Sequence, residues 1–483
     1  MEKKFTIDEI TWNDLNMEDV YERLNHACSS VGQEYLKKTL KTLELAPDVL
    51  EMRDAKAESL KDNESLVGSL QKVFKGLGKT KKVSFLDHIF KIKEIKTRSN
   101  AVHIVLVLLL LAAIALIFVK PAFGIVALVI MIAVNIIIYF KYKAEVEGYF
   151  NSLKYLVSMV IAASKILKLN CPEPFSRDME SLKEAVHVFA PLKRGSWLIT
   201  NSVSGSLIDV LMDYIRMIFH VDLMKFNSMK KCAEEHEEEI LTLYNTLGEI
   251  ETAICIYLMR KDTVSWCRPS FINDKEIHAK EIYHPLVSEP VKNSIETGRS
   301  ILLTGSNASG KSTFLKTVAI NQIFAQTLYT CLADSWVSGF FKVLSSMALT
   351  DNLLGEESYF IVEIKSLKRI FDTIDTDVPV LAFIDEVLRG TNTTERIAAS
   401  SQILKKLSNE NALIFAATHD IELTKLLEKD MENYHFTEHV EDGNVLFDYK
   451  LKEGSATSRN AIKLLKAYGF DPDITEAAEA MAK

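Results

Sequence analysis

The stretch SILLTGSNASGKSTFLKTVAI, from Ser300 to Ile320, decides the fold of the C-terminal part of this chain. It joins an apolar run, typical of a buried strand, to a glycine-bounded loop and a helical pattern. The loop fits G-x-x-x-x-G-K-[ST], in which backbone N–H groups surround phosphate oxygens, Lys311 reaches the outer phosphates and Ser312 is available to Mg²⁺. The alternative is a glycine turn without a ligand. The predicted nucleotide-binding residues are Gly305, Ser306, Asn307, Ala308, Ser309, Gly310, Lys311, Ser312 and Thr313.

Two further apolar runs, PVLAFIDE and ALIFAATHD, end in polar side chains, as expected where buried parallel strands deliver them to one edge of a sheet. Asp385 would hold Mg²⁺ together with Ser312, and Glu386 would polarise the attacking water. His419 would lie near the outer phosphate as a sensor. The predicted catalytic residues are therefore Lys311, Glu386 and His419. The alternatives are a solvated strand end for the acidic pair and a strand-capping role for His419.

The residues from Ile282 to about Phe470 resemble the ATPase domain of the MutS family of DNA mismatch-repair proteins, a branch of the ABC-type ATPases. The motifs that carry the resemblance are IYHPLV, LTGSNASGKSTFLKTVAI, ADSWVS, ESYFIVEI, FIDEVLRGTNTTER, FAATHDIELT and YKLKEGSATSRNAIKLLKAYGF. The resemblance implies an α/β P-loop domain of the ABC type at the C-terminus, joined to an all-α helical core. It also implies ATP and Mg²⁺ as ligands.

Three positions depart from the pattern of that family. Ser306 stands where the family usually has Pro, Ala308 and Ser309 replace a Met/Gly-type pair, and Val387-Leu388 replace Leu-Gly beside the acidic pair. None of these changes removes a group that contacts phosphate or metal, so we expect nucleotide binding.

The resemblance further implies a homodimer that holds the nucleotide between two subunits. In such a dimer ESYFIVEI would present Ser358 to the outer phosphate of the ATP bound by the other subunit. The signature LSGGQ is not found in the sequence, which argues against an ordinary ABC transport ATPase.

The composition is that of an acidic protein large enough for two or three domains. Among 483 residues, 57 are basic and 65 are acidic, which gives a net charge of −8. This charge is unusual for a protein whose main task is to grip a polyanion, although a local basic strip could still do so. Six scattered cysteines without a C-x-x-C pair favour a reducing compartment over a disulfide framework or a zinc site.

An apolar hairpin interrupts the polar N-terminal half. Residues 101–119 and 122–140, joined by Lys120-Pro121, would each span about 28 Å as helices, close to the hydrocarbon thickness of a bilayer. His103 and Asn135 are the main polar interruptions. We predict two membrane spans, with a buried helical pair in a soluble core as the alternative.

Lysines and arginines flank both ends of the hairpin. KIKEIKTR (residues 91–98) precedes it, and Lys141 and Lys143 follow it, which predicts that both soluble portions lie on the cytoplasmic side of the plasma membrane. The basic residues between Lys72 and Arg98 would meet anionic lipid head groups, with DNA as the alternative.

The remaining sequence is predicted to be helical. The residues from Ile10 onward resemble the start of the MutS helical core, so a mismatch-reading N-terminal domain is not expected. The predicted domains are an N-terminal helical segment (1–98), a transmembrane hairpin (99–142), a helical core or lever segment (143–270) and the ATPase domain (271–483).

These features leave three hypotheses for the function. The first is a membrane-anchored, dimeric MutS-like ATPase that couples ATP to the binding of DNA, either mismatched or branched. The second is a membrane-bound mechanical ATPase that acts on a protein partner without nucleic acid. An ABC-type transporter has the least support, because two spans per subunit would give only four helices in a dimer.

Overall fold

The computed structural model describes most of the chain as helices and mixed sheets. The described residues are 4–79, 85–92, 99–193, 207–306, 309–347, 359–388, 392–441, 444–455 and 469–481. Contacts divide the chain into a sheet unit, which comprises residues 1–25, 37–55 and 258–483, and a helical unit, which comprises residues 26–36 and 56–257. These units cut across the ranges predicted from the sequence, because residues 1–25 and 37–55 group with the C-terminal part.

The helices carry labels in chain order. They are α1 (Glu9–Asp14), α2 (Met17–Leu24), α3 (Ser30–Lys41), α4 (Pro47–Ser59), α5 (Glu64–Leu77), α6 (Phe85–Lys91), α7 (Asn100–Val119), α8 (Pro121–Ile166), α9 (Ser176–Val188), α10 (Ala190–Lys193), α11 (Leu207–Phe219), α12 (Val221–Glu235), α13 (Glu237–Asp262), α14 (Lys311–Leu328), α15 (Tyr359–Thr373), α16 (Thr393–Ser408), α17 (Glu422–Leu426) and α18 (Pro472–Met481).

The described strands all belong to the sheet unit. They are β1 (Lys4–Thr6), β2 (Thr42–Glu44), β3 (Pro269–Phe271), β4 (Ile277–Ile282), β5 (Asn293–Thr297), β6 (Ile301–Thr304), β7 (Ser335–Ser338), β8 (Lys342–Ser346), β9 (Val380–Asp385), β10 (Ala412–Thr418), β11 (Glu432–His435), β12 (Glu438–Glu441), β13 (Asn444–Phe447) and β14 (Lys452–Glu453). The short strands β1 and β2 pair with each other. The N-terminal segment, which is predicted to be helical, therefore also contains strands.

The main sheet has the order β14-β11-β6-β10-β9-β8. Its strands β11, β6, β10, β9 and β8 are parallel, and β14 pairs antiparallel with β11 at one edge. Strands β6 and β10 are buried along their whole length, which explains why they are continuous apolar runs instead of alternating patterns. A second, four-stranded sheet has the order β3-β7-β4-β5.

The N-terminal helix α1 covers β8, the other edge strand of the main sheet. The Asp14 carboxylate accepts a hydrogen bond from the Ser345 hydroxyl at 2.7 Å and one from the Met347 backbone N–H at 2.9 Å. The Ser345 backbone N–H donates to the hydroxyl of Thr11 at 3.1 Å. Helix α1 thereby satisfies part of an edge that would otherwise present unpaired backbone groups.

In the helical unit, α7 and α8 form the apolar hairpin. Within the described residues, these two helices are long and apolar enough to cross a membrane. Large apolar side chains such as Leu109 and Ile130 are exposed along both helices. Helix α8 continues for 46 residues, well past the boundary predicted near Lys143. No proline lies between Lys143 and the end of this helix, and the single glycine there, Gly148, does not end it, so the helix continues into a buried segment.

The polar residues of the hairpin pack against the junction of α11 and α12. Nε2 of His220 lies 2.9 Å from the Asn135 carbonyl oxygen and therefore donates to it, and Nδ1 of His220 lies 2.8 Å from Nδ1 of His103. Nδ1 of a neutral His220 then accepts a hydrogen bond from the Nδ1–H group of His103. The Tyr139 hydroxyl donates to the Asp222 carboxylate at 2.8 Å. These contacts dock the hairpin onto helices of the same unit.

A buried carboxylate joins α13 to the N-terminus of α3 in the helical unit. Glu251 accepts hydrogen bonds from the backbone N–H groups of Cys28, at 2.5 Å, and Ser29, at 3.1 Å. The Ser29 hydroxyl also donates to this carboxylate. Burial raises the pKa of Glu251 to about 7, against the lowering effect of these hydrogen bonds.

Candidate active site

The carboxyl ends of three neighbouring strands of the main sheet bring the predicted site residues together. Thr304 at the end of β6 lies beside Thr418 of β10, and Asp385 at the end of β9 lies beside Ala417 of β10. Parallel strands end on the same edge of a sheet, so the residues that follow them meet there. The loop from Gly305, the acidic pair and His419 therefore lie next to one another.

The glycine-rich loop connects β6 to α14 and needs two glycines for its backbone. Gly305 has φ 146° and Gly310 has φ 107°, which are conformations that favour glycine. A Cβ at Gly305 would meet the Phe436 carbonyl oxygen and the Ser309 hydroxyl, each at 2.9 Å. The predicted members Asn307 and Ala308 lie outside the described residues.

Lys311 begins α14 and folds back over its own loop. Its Nζ donates to the carbonyl oxygens of Gly305, at 2.7 Å, and Ser306, at 2.8 Å. Ser309 is buried, and its hydroxyl has no hydrogen-bond partner among the residues that the structure describes. An ammonium and a buried hydroxyl at a helix N-terminus are groups that suit an anion.

Ser312 and Asp385 form a direct pair. The Ser312 hydroxyl donates to the Asp385 carboxylate at 2.5 Å, so the two residues predicted to hold one metal ion lie in contact. Hydroxyl and carboxylate oxygens are ligands that Mg²⁺ prefers. The donor set therefore fits this metal, which would bind between the end of β9 and the start of α14.

Glu386 and His419 form a second pair at the same edge. Nε2 of His419 lies 2.6 Å from Oε1 of Glu386. The backbone N–H of Glu386 donates to the carbonyl oxygen of Ala417 at 2.9 Å, which extends the pairing of β9 with β10. A bidentate ion pair between Arg396 and Asp420, at 2.6 and 2.9 Å, lies behind His419. Ser358, the remaining predicted residue, lies outside the described residues.

A cavity of ≈ 510 Å³ adjoins these groups. One end is polar, and the described members of the predicted site that line it are Ser306, Gly310, Lys311, Ser312, Thr313, Asp385, Glu386 and His419. The other lining residues, which we call the apolar end, are mostly apolar or aromatic: Ile282, Tyr283, Val287, Pro290, Val291, Phe314, Phe436 and Tyr449. His284, Glu289, Asn293 and Thr317 line the cavity as well. The cavity thus offers charged groups suited to phosphates and apolar side chains suited to a planar base.

Tyr449 closes the apolar end and was missed by the sequence interpretation. A Cβ placed on Gly310 would lie 3.2 Å from the Tyr449 ring, so the ring lies directly over the loop. Asn293 holds this segment, because its amide donates to the Tyr449 carbonyl oxygen at 2.9 Å and its Oδ1 accepts from the Leu451 N–H at 2.8 Å. The segment around Tyr449 is remote from the loop in sequence, and only folding brings the two together.

A second residue that the sequence interpretation missed is Glu438. The hydroxyl of Ser306 donates to its carboxylate at 2.8 Å. Glu438 is buried, so its charge faces the loop with little screening by solvent. This contact is possible because Ser306 has a hydroxyl, which the proline usual in the resembling family does not.

His284, in the IYHPLV segment, is held as a neutral acceptor. Burial, and secondly the charge of Lys316, lower the pKa of His284 to about 4. Its Nδ1 accepts a hydrogen bond from the Leu286 N–H at 3.2 Å. The imidazole therefore fixes the turn beside the apolar end of the cavity and carries no charge at neutral pH.

A parallel sheet whose strand ends carry a glycine loop with Lys-Ser, an Asp-Glu pair and a histidine is typical of α/β domains that bind nucleoside triphosphates. Comparison with known proteins agrees with this class. The sequence model of the family "MutS domain V" matches residues 301–483. Over these residues the chain is similar to the MutS family.

Three similar proteins are each named DNA mismatch repair protein MutS. The protein of Leptospira interrogans is 29% identical over 282 residues, which are 55% of this chain and 33% of that protein. Those of Listeria monocytogenes and Lactobacillus delbrueckii are 25% and 28% identical, over 56% and 53% of this chain. The chain spans about a third of the length of these relatives.

Proposed function

We propose that this protein binds and hydrolyses ATP with Mg²⁺ at the strand-end site. The observation that carries the proposal is the convergence of Lys311, the Ser312–Asp385 pair and the Glu386–His419 pair on one cavity that has a charged and an apolar end. The match to MutS domain V supports the same activity.

Each residue then has a role that follows from its chemistry. Lys311 would exchange the two loop carbonyls for phosphate oxygens, and Ser312 and Asp385 would hold Mg²⁺. The bound metal would supply positive charge that neutralises the triphosphate. Glu386 would orient the attacking water and accept its proton, while His419 holds the Glu386 carboxylate in place.

The apolar end of the cavity supports binding of the base. Adenine would stack on the ring of Tyr449, since aromatic rings offer stacking surfaces to bases. Val291 and Phe436, which line the same end, would supply further apolar contacts.

We also propose that the ATPase acts as a homodimer with the nucleotide between two copies. The resemblance to the MutS-type serine loop supports this arrangement, in which Ser358 of one copy would reach the phosphates held by the other. ATP-dependent dimerisation, measured by light scattering in detergent, tests it. A chain that stays monomeric at saturating ATP would contradict it.

We further propose that α7 and α8 anchor the protein in the plasma membrane, with both soluble portions on the cytoplasmic side. The exposed apolar side chains of both helices support the anchor. The cationic residues predicted to flank the hairpin would meet anionic lipid head groups. Of these, Lys93, Lys96 and Arg98 lie outside the described residues.

DNA is the proposed partner of the anchored ATPase, as suggested by the names of its relatives. Salt-dependent, nucleotide-sensitive binding of the solubilised protein to mismatched or branched duplexes tests this proposal. The second candidate is a protein partner, which the net charge of −8 favours. A pull-down from native membranes with the Glu386→Gln variant, scored for both nucleic acid and protein, separates the two.

The proposed activity is tested by magnesium-dependent ATP turnover. Glu386→Gln should retain ATP binding and lower kcat by about 10²-fold or more, because the general base is lost. Lys311→Ala should weaken ATP binding, because a phosphate contact is lost. Glu428→Gln and Lys425→Ala, at exposed positions of the same unit, are matched controls. Equal turnover in all variants would mean that the site is misassigned.

A further inference from the structure

The turn that follows the acidic pair has an unusual backbone. Glu386 has φ 62° and Leu388 has φ 59°, so two residues other than glycine adopt the left-handed region within three positions. L-amino acids with a Cβ are disfavoured in this region and persist there only when the surroundings hold them. Leu388 also stands where the resembling family has glycine, which adopts this conformation readily.

Two side chains from neighbouring helices hold this turn. Oε1 of Glu363, on α15, accepts a hydrogen bond from the backbone N–H of Leu388 at 2.5 Å. The hydroxyl of Ser400, on α16, donates to the Val387 carbonyl oxygen at 3.1 Å. Glu363 is 3% exposed, and a carboxylate so deeply buried acts strongly on a single N–H group.

The position of Glu363 along the chain connects two parts of the site. Helix α15 begins at Tyr359, directly after Ser358 in the sequence. Glu363 lies one turn into this helix and contacts the turn that carries Glu386. The helix that follows Ser358 therefore contacts the turn that contains Glu386, the proposed general base.

We propose that Glu363 is a positioning residue for hydrolysis. Its carboxylate accepts a hydrogen bond from the Leu388 N–H and thereby stabilises the left-handed turn. This turn orients the Glu386 side chain toward His419 and the cavity. This inference rests on the proposed ATPase function. Because Leu388 replaces glycine, the turn depends on Glu363 more than it would if glycine occupied that position.

The test compares substitutions at both ends of the hydrogen bond. Glu363→Ala should lower kcat for ATP by about tenfold or more, with KM changed less than about twofold, because orientation of the base is lost while binding groups remain. Glu363→Gln keeps an acceptor oxygen and should retain kcat within about threefold. Adding Leu388→Gly to Glu363→Ala should restore much of kcat, because glycine adopts the turn unaided.

A matched control and a second variant separate a loss of positioning from a loss of folding. Lys368→Ala, at an exposed position of the same helix, should leave kcat unchanged. If Glu363→Ala does not melt cooperatively, Ser400→Ala decides instead, since it removes the other hydrogen bond to the turn and leaves almost no cavity. It should lower kcat roughly two- to fivefold at unchanged KM.

The outcomes separate this inference from the function on which it rests. Turnover by the parent chain that disappears in Glu386→Gln but is unchanged in folded Glu363→Ala would overturn the positioning role alone. Equal losses in Glu363→Ala with and without Leu388→Gly would also overturn it, because burial and not the turn would then explain the loss. Absence of magnesium-dependent turnover in the parent chain would overturn both.

Discussion

The strand-end site and the apolar hairpin both contain paired polar side chains, but the partners are of different kinds. At the site, Lys311 holds carbonyls of its own loop and Ser312 holds Asp385, beside a cavity of ≈ 510 Å³. In the hairpin, His103 and Asn135 are fully buried against α11 and α12. The first pairs can be exchanged for a ligand. The second pairs dock helices, so the polar residues of the hairpin do not require a transport function.

The largest expected effect concerns the apolar face of the hairpin. Leu109→Arg combined with Ile130→Arg should release the protein from membranes, because each arginine at the centre of a span costs about 2.5–3.5 kcal/mol. Flotation with liposomes and extraction with carbonate measure the effect. Leu426→Arg, an equally exposed leucine in the sheet unit, is the matched control. Retention of the double variant in the membrane would show that the hairpin does not span it.

The buried carboxyl group of Glu251, in the helical unit, should make the free energy of unfolding depend on pH. Burial in the folded state raises the pKa of Glu251 to about 7 from its ordinary value of 4.5, so between these pH values Glu251 keeps a proton that the unfolded chain has lost. The contribution of Glu251 to the free energy of unfolding should therefore fall as pH rises from about 4.5 through 7, by up to about 3 kcal/mol. His284, whose pKa is lowered to about 4, contributes in the opposite direction, so the contribution of Glu251 is obtained as the difference between the parent chain and Glu251→Gln. Denaturant unfolding of the solubilised protein at several pH values measures this.

Glu251→Gln should remove the falling contribution from the pH profile, because the neutral amide cannot ionise. Glu238→Gln, at an exposed position of the same helix, should leave the profile as it is. Identical profiles in the parent chain and in Glu251→Gln would mean that Glu251 stays ionised in the fold.

Among the apolar residues of the strand-end site, Tyr449 should have the largest effect on the KM for ATP. Tyr449→Ala should raise the KM for ATP roughly tenfold, because stacking of a base on an aromatic ring contributes about 1–3 kcal/mol. Tyr449→Phe keeps the ring and should change KM less than about twofold. Steady-state kinetics measure both variants. An unchanged KM in Tyr449→Ala would mean that the base binds elsewhere.

The smallest expected effect belongs to Glu438. Glu438→Gln keeps an acceptor for the Ser306 hydroxyl but removes a negative charge beside the loop, so the KM for ATP should fall roughly two- to fivefold. A rise in KM would indicate that the charge supports the loop instead of opposing phosphate.

The residues proposed to bind metal and activate water could be predicted from local sequence, whereas other residues that surround the loop could not. Asp385 and Glu386 end an apolar run, and that pattern alone determines which edge of the sheet they occupy. Tyr449, Asn293 and Glu438 have no such local signal, because their contacts with the loop arise from long-range packing. Local sequence does not predict the left-handed backbone at Leu388 either, since leucine rarely adopts this conformation.

The division of the chain was harder to predict than its elements. The two apolar runs predict the hairpin, but its second helix continues beyond Lys143, because no proline follows within the helix and Gly148 alone does not end it. Residues near the N-terminus were interpreted as helical core, yet β1 pairs with β2 and α1 covers β8. Such pairings depend on partners far along the chain, which periodicity does not reveal.

The uninterrupted course of α8 has a mechanical consequence. At 46 residues it is about 69 Å long, and one continuous helix contains both the apolar half and the buried half. In a bilayer, a tilt of the buried half would be transmitted to the apolar half, and lateral tension in the lipid would be transmitted to the helices that pack against α8.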